Sequence, residues 1–413
     1  MRKDHGFSLV AALLAASAFF PSCGDDAATC EPDCGTTTGV GAGGDGGGST
    51  TATTASTGST TSSASTGTGT GGGGTGGGPP SEWSVPSCAS VIGTDAVTFT
   101  DDEGATLAPT PGMLQGIGYT GLAALDTPNT LLAEHKGALL RSEDAGCTWK
   151  QIATLQGGLF KLNAGRGGVA YAWVDNGDAF YRIDPDGTAT LLDTPADNIV
   201  GMGVDPADGM HLRIGHATGA VSDSVDGGVT WTKQGFPAPV GKLSIGYRMV
   251  FDPADLDHIV FGQSTMGAAV TQDGALTWTS SNGLGAQANA FNLAISPADG
   301  QIVWAESLQV GPDARHVYRS EDGGLTFTSV VDDSAEVQLF NGNLLAPHAT
   351  NPDVLYFVFG TYFQGYGTDI YRYDHATGMV TKTHNNNHDV SAIVASPADP
   401  GVLYFGLVVE QIN

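Results

Sequence analysis

The chain has 413 residues, of which 43 are acidic and 16 are basic, so its formal net charge is −27 at pH 7. This excess of negative charge argues against binding to nucleic acid or to an anionic membrane through charge. We therefore expect no nucleic-acid partner, and contact with a membrane only through a lipid anchor.

Residues 1–22 have the pattern of a signal peptide. Met1-Arg2-Lys3 is a basic start, and an apolar run from Phe7 to Phe20 follows it. The run ends at Phe20-Pro21-Ser22-Cys23, which resembles the cleavage site of a bacterial lipoprotein, where Cys23 becomes the lipidated first residue. Ordinary cleavage after Ala16-Ser17-Ala18 is the alternative. We expect an exported protein, either a lipoprotein of the outer membrane or cell surface or a secreted protein.

Residues 23–80 are dominated by Gly, Thr and Ser, as in the runs from Thr50 to Thr70 and from Gly71 to Gly74. Such a composition cannot bury enough apolar surface to fold, so this segment is predicted to be a disordered linker. It would join the exported N-terminus to a folded domain that begins at residue 81.

One short phrase, Ser-x-Asp-x-Gly-x-Thr-Trp, recurs through the rest of the chain. Its copies stand about 40 to 50 residues apart, a period typical of β-propeller blades. Ser and Asp side chains accept hydrogen bonds from nearby amides and Gly accepts a positive φ, so each copy predicts a tight hairpin between two strands. Including weak copies at positions 102 and 186, the aspartates of the phrase are Asp102, Asp144, Asp186, Asp226, Asp273 and Asp322.

The phrase resembles the Asp-box of the BNR repeat family, whose propellers include bacterial sialidases, xyloglucanases, sortilin-type receptors and photosystem assembly factors. The resemblance covers roughly residues 90 to 413. It implies an all-β fold and a structural role for the six aspartates, because the family's boxes lie at the blade rim, away from the binding face.

A second repeat predicts how the ring closes. Asp/Ser-Pro-Ala-Asp follows a short apolar run at Asp205, Asp252, Ser296 and Ser396. Proline cannot donate to a strand ladder, so this repeat marks the turn between the first two strands of a blade. The chain ends in such inner strands, whereas residues 96–100 supply only an outer strand. The two ends should therefore share a blade. With five box units and a degenerate unit near residues 374–378, this gives a single seven-bladed propeller over residues 81–413.

The cysteines allow more than one pairing. If Cys23 carries lipid, four cysteines remain and three pairings are possible. Cys30 and Cys34 are close enough to pair within the linker. A disulfide between Cys88 and Cys147 would then clamp the N-terminal end onto the ring. Disulfides are common in exported proteins.

The richest candidate binding face lies near the C-terminus, where two loops carry aromatic rings beside amide and acid side chains. Such a surface suits a sugar ring or a protein partner. The two histidines of these loops lie four residues apart without an identifiable third ligand, so we expect no metal and no cofactor. The predicted ligand-binding residues are Tyr362, Phe363, Tyr366, Asp369, His384 and His388.

Two kinds of catalysis in the resembled family can be compared with the chain. Sialidases use clustered arginines and an N-terminal Arg-Ile-Pro motif, which this sequence lacks. Xyloglucanase-like hydrolysis needs two carboxylates across a cleft. Acids lie near the ends of second strands, and Glu134, Glu306 and Asp369 are the catalytic candidates, but no pair is singled out. The sequence favours a monomeric binding or assembly module for an extracellular glycan or envelope protein. A glycoside hydrolase acting on an extracellular polysaccharide is the alternative.

Overall fold

The computed structural model describes residues 82–112, 119–195, 198–240, 245–312, 314–342, 344–359, 368–385 and 389–408. The predicted signal peptide, the linker and the cysteines Cys23, Cys30 and Cys34 lie outside these residues. Within them the chain forms 27 β-strands and no α-helix, so this part contains no helix with the length and hydropathy needed to span a membrane.

The strands form seven antiparallel sheets, which are the blades of a β-propeller. Six blades have four strands each in chain order, and the last combines both ends of the described chain. Blades 1 to 3 consist of β2 (Thr120–Ala124), β3 (Leu131–His135), β4 (Ala138–Ser142) and β5 (Lys150–Thr154); β6 (Phe160–Ala164), β7 (Ala170–Val174), β8 (Phe180–Ile183) and β9 (Ala189–Leu192); and β10 (Ile199–Val204), β11 (Leu212–His216), β12 (Val221–Ser224) and β13 (Thr232–Gln234).

The remaining blades follow the same plan. Blades 4 to 7 consist of β14 (Gly246–Asp252), β15 (Asp255–Gln263), β16 (Gly267–Thr271) and β17 (Thr279–Ser280); β18 (Ala288–Ser296), β19 (Asp299–Gln309), β20 (Ala314–Ser320) and β21 (Thr328–Asp332); β22 (Leu345–Pro347), β23 (Val354–Phe359), β24 (Thr368–Asp374) and β25 (Met379–Asn385); and β26 (Val390–Ala395), β27 (Leu403–Leu407) and β1 (Val97–Thr100).

The hydrophobic core lies between neighbouring blades. One cluster joins Leu132 and Leu139 of blade 1 to Phe160 and Tyr181 of blade 2, whose rings meet edge to face with centroids 5.6 Å apart. Strands of a propeller bury both faces in this way, so the second strand of each blade is largely buried. Packing between blades, rather than within them, therefore holds the ring together.

The hairpins between third and fourth strands have the hydrogen bonds that the recurring phrase suggests. In blade 1, Asp144 accepts the Thr148 amide at 2.8 Å and the Thr148 hydroxyl at 2.7 Å, while Ser142 Oγ accepts the Gly146 amide at 2.9 Å. Gly146 has a φ of 91°, which favours glycine. The same amide bond to the aspartate recurs at Asp102, Asp226, Asp273 and Asp322.

The hairpin at Asp186 differs from the others. Asp186 accepts the amide of Thr188, two residues on, at 2.9 Å, and the backbone closes a shorter turn between Asp184 and Thr188. Thr190, the expected partner, pairs with Arg182 in the ladder instead. The prediction of an Asp-box at Asp186 is therefore wrong in its bonding, because Asp184 replaces the hydroxyl residue and Thr188 replaces the glycine.

The proline repeat forms the turns between first and second strands. Its first residue accepts the amide of the alanine, as from Ala207 to Asp205 at 2.7 Å and from Ala254 to Asp252 at 2.8 Å. Its last aspartate accepts an amide two residues further on, as Asp399 does from Gly401 at 2.9 Å. Each copy is thus two consecutive side-chain-capped turns.

The two ends of the described chain meet in blade 7, as predicted. β1 pairs with β27 along Val97–Thr100. At the outer edge of β1, where a fourth strand would lie, the Ala108 amide donates a hydrogen bond to Phe99 O at 3.0 Å. The segment before β1 crosses to the outer edge of blade 1, where Ile92 bonds to Cys147 and Trp149. The predicted disulfide between Cys88 and Cys147 is present at this crossing.

Candidate functional site

A cavity of about 910 Å³ lies on the axis of the propeller. Residues of all seven inner strands line it, and this is possible only where the blades converge. Its volume is in the range of ligand sites, which are typically 300 to 1,000 Å³. Apolar side chains such as Tyr119, Leu159, Leu162 and Met202 contribute to its wall together with charged ones.

A group of four side chains on this wall, which we call the basic site, consists of Lys161, Trp173, Asp175 and Arg248. β6 positions Lys161, the end of β7 positions Trp173 and the following Asp175, and β14 brings Arg248 from blade 4. The Lys161 ammonium forms an ion pair with Asp175 Oδ2, and Arg248 Nη1 lies 3.7 Å from the same oxygen. The ammonium and the guanidinium carbon each lie 5.6 Å from the Trp173 ring centroid.

The electrostatics of the basic site leave cations in excess. Two positive side chains face one carboxylate, and Arg248 Nε and Nη1 have no hydrogen-bond acceptor in the described protein. The Lys161 side chain is 41% exposed, yet the protein around its ammonium still desolvates the charge. Burial and the Arg248 charge lower the pKa of Lys161 to about 8. At neutral pH both cations therefore remain charged.

The candidate acids Glu134 and Glu306 lie inside the blades rather than in a cleft. Both are 0% exposed. Glu134 accepts the amides of Gly137 and Phe160, at 2.5 and 3.1 Å, which uses both of its oxygens. Glu306 Oε2 accepts the Gly342 amide at 2.8 Å, and its Oε1 has no partner. Each glutamate therefore joins the end of a second strand to the chain that enters the next blade.

Burial shifts the protonation of both glutamates. It raises the pKa of Glu134 to about 6, against the two amide bonds that lower it. It raises the pKa of Glu306 to about 8, although the Gly342 amide and the Arg315 charge act in the opposite direction. Glu306 is therefore largely neutral at pH 7, in a place that substrate does not reach without rearrangement of the blade.

Two of the six predicted ligand-binding residues are described, and the structure brings them together. Asp369 on β24 receives a hydrogen bond from His384 Nδ1 on β25 at 2.6 Å, and Lys382 Nζ and the Tyr371 hydroxyl lie 3.4 Å from its other oxygen. His384 is exposed and Asp369 is mostly covered. The other four, Tyr362, Phe363, Tyr366 and His388, lie outside the described residues.

The sequence did not single out the basic site. Asp175 directly follows the second strand of blade 2, whereas Lys161, Trp173 and Arg248 belong to three strands of two non-adjacent blades. Only the ring geometry brings them to one wall. A useful signal was available in the charge: Lys161 and Arg248 are cations on inner strands of a chain that has only 16 basic residues.

No metal centre emerges from the part of the chain that the structure describes, where no three or more His, Cys, Asp or Glu side chains are grouped closely enough to hold an ion.

Comparison with known proteins gives one close relative and a common fold. No family model matches the chain. It is 51% identical to the dispase autolysis-inducing protein of Streptomyces mobaraensis over an alignment of 350 residues. This alignment covers 81% of this chain and 92% of that protein.

Two solved propellers are similar in structure. The GH74 xyloglucanase of Xanthomonas campestris has a TM-score of 0.52 and 17% identity, over 73% of this chain and 52% of the enzyme. YCF48 from Cyanidioschyzon merolae has a TM-score of 0.50 and 11% identity, over 71% of this chain and 96% of that chain. At such identities the similarity shows the fold alone.

Proposed function

Since the chain belongs to the family of the Streptomyces mobaraensis dispase autolysis-inducing protein, we propose that it is an exported binding protein that engages a protease and promotes the protease's digestion of itself. The relationship over 92% of that relative carries the proposal. In this role the propeller recognises a protein surface and does not itself catalyse a reaction. A ring that presents loops and a central cavity suits such recognition.

Export is supported by two features of the chain. The signal pattern of residues 1–22 directs secretion, and the disulfide between Cys88 and Cys147 belongs to an oxidising compartment. A lipid at Cys23 and a disordered linker over residues 23–80 remain predictions from the sequence.

The buried acids give little support to glycoside hydrolysis. Hydrolysis needs two carboxyl groups that face one cleft across about 5 to 10 Å. Glu134 has both oxygens bonded to backbone amides, and Glu306 is fully buried in another blade. A glycan ligand on the loop surface that includes Asp369 and His384 stays a prediction from the sequence.

The proposed function is tested by mixing the full chain with dispase and following the amount of intact dispase by gel electrophoresis. We expect intact dispase to disappear faster with the chain than with heat-denatured chain, in proportion to the molar ratio. No fragments should appear when dispase is inhibited beforehand, because the protease cuts itself. An unchanged rate would overturn the proposal, and fragments from inhibited dispase would make the propeller itself the hydrolase.

A further inference from the structure

The basic site has more hydrogen-bond donors than the protein satisfies. Lys161 and Arg248 both turn to Asp175 Oδ2, while Arg248 Nε and Nη1 find no acceptor and Asp175 Oδ1 finds no donor. Unmet polar groups in a confined space cost free energy unless a ligand or solvent completes them. Because these two Arg248 nitrogens have almost no surface open to the cavity, a group that accepts from them must draw the guanidinium, whose side chain is 23% exposed, away from Asp175.

The charge of the basic site selects a singly charged anion. Two cations and one carboxylate leave a net charge of +1 inside a protein whose formal charge is −27. A carboxylate neutralises the site, whereas a phosphate dianion or a polyanion would add uncompensated negative charge. The planar guanidinium also matches a carboxylate in geometry, with two parallel N–H bonds.

The surroundings favour a carboxylate that is attached to an apolar body. Trp173 is 1% exposed, so its ring supports the two cations from beneath, and the apolar contacts to a ligand come from other residues. Leu159, Leu162 and Met202 line the same cavity. Leu159, Leu162 and Met202 offer no partners to the hydroxyl groups of a sugar acid, and the amide of Asn163, which lines the same cavity, is already bonded to Trp173 Nε1 and Met202 O. A peptide residue with an apolar side chain has no such need.

The size of the cavity sets how much of a protein can enter. A volume of about 910 Å³ accommodates a few residues of extended peptide and excludes a folded domain. A protein ligand must therefore insert a chain end or a protruding loop along the propeller axis.

We propose that Lys161, Arg248 and Trp173 form a binding site for a peptide carboxylate next to an apolar residue, in the central cavity of the propeller. The site rests on the proposed function, since it supplies the contact by which a protein ligand is held. The carboxylate is either a free C-terminus or an acidic side chain, and the two sources have the same chemistry.

The proposal is tested by isothermal titration of the full chain with three short peptides. Ac-Gly-Gly-Phe with a free carboxylate represents a chain end, Ac-Gly-Asp-Phe-amide represents an acidic side chain, and Ac-Gly-Gly-Phe-amide is the uncharged control. We expect at least one carboxylate peptide to bind ten-fold or more tightly than the control, and the tighter one identifies the source. Equal affinity of all three peptides, or binding of none, would overturn the proposal.

Variants then locate the binding. Arg248→Met and Lys161→Met keep the apolar stems and should each weaken binding of the carboxylate peptide at least ten-fold. Lys150 is an exposed cation on β5, so Lys150→Met should leave the affinity unchanged. Asp175→Asn removes the competing carboxylate and should strengthen binding several-fold. If Asp175→Asn weakens binding as much as Arg248→Met, the cluster only maintains the structure and the proposal fails.

The dispase experiment separates this proposal from the proposed function. Arg248→Met should bind the carboxylate peptide poorly and should also slow the loss of intact dispase. If it loses peptide binding but promotes autolysis like the wild type, the proposed function stands and its contact lies elsewhere. If the wild type binds the peptide but leaves dispase unchanged, the site stands and the protease is not its partner.

Discussion

At the scale of single residues, Glu306 makes the stability of the fold depend on pH. Its side chain is fully buried, and burial raises its pKa from 4.5 to about 8. The folded state therefore holds a proton that the unfolded state releases between these values. The stabilisation is complete below about pH 4.5 and is lost as the pH rises through 8, by on the order of 1 kcal/mol per pH unit.

Replacement of this acid should therefore flatten the pH dependence. In Glu306→Gln, an uncharged amide of the same shape can still accept the Gly342 amide, so we expect a higher urea midpoint than the wild type at pH 9 and little difference at pH 5. Glu134→Gln is the matched control. Both oxygens of Glu134 accept amides, so this variant should be less stable at every pH. Parallel curves for Glu306→Gln and the wild type would contradict the prediction.

At the scale of strands, the sequence predicts most of the blade plan because turns are encoded locally. A Ser or Thr, an Asp and a Gly at fixed spacing are sufficient to close the hairpin at Asp144. The same reasoning fails at Asp186, where the flanking residues are different. Contacts between blades are not encoded locally. Glu134 and Glu306 occupy equivalent places on the second strands of their blades: each lies three residues after the residue that pairs with the serine of the Asp-box hairpin. Their burial, however, depends on contacts with the next blade.

The inner strands illustrate this dependence on neighbours and provide a prediction for packing. Gly201 on β10 lies so close to blade 4 that a Cβ atom would be 1.8 Å from Met249 O. Gly201→Ala must therefore push two inner strands apart, which should cost about 1–3 kcal/mol of unfolding free energy. Gly311→Ala is the control, since nothing lies within 4 Å of its added Cβ. Urea unfolding should show a lower midpoint for the first variant only, and equal midpoints would refute close packing at Gly201.

At the scale of the whole molecule, closure of the ring depends on the segment before β1. This segment reaches blade 7 through β1 and blade 1 through Ile92, Ser84 and the disulfide. Blades 1 and 7 are adjacent in the ring but far apart in sequence, so their contact has a high entropic cost in folding. The basic site also depends on closure, because the cavity that contains it is lined by all seven inner strands.

The disulfide should therefore contribute substantially to the stability of the propeller. It links residues 59 apart in sequence, and restriction of such a loop in the unfolded chain corresponds to about 4 kcal/mol. Urea unfolding of the oxidised and the reduced chain should differ in midpoint accordingly, and Cys88→Ser without reductant should behave like the reduced wild type. Because Cys147 is buried at the hairpin, Cys147→Ser adds a packing effect and is a poorer probe. Identical midpoints for the oxidised and reduced chains would mean that the strand pairing of β1 with β27 closes the ring without help from the disulfide.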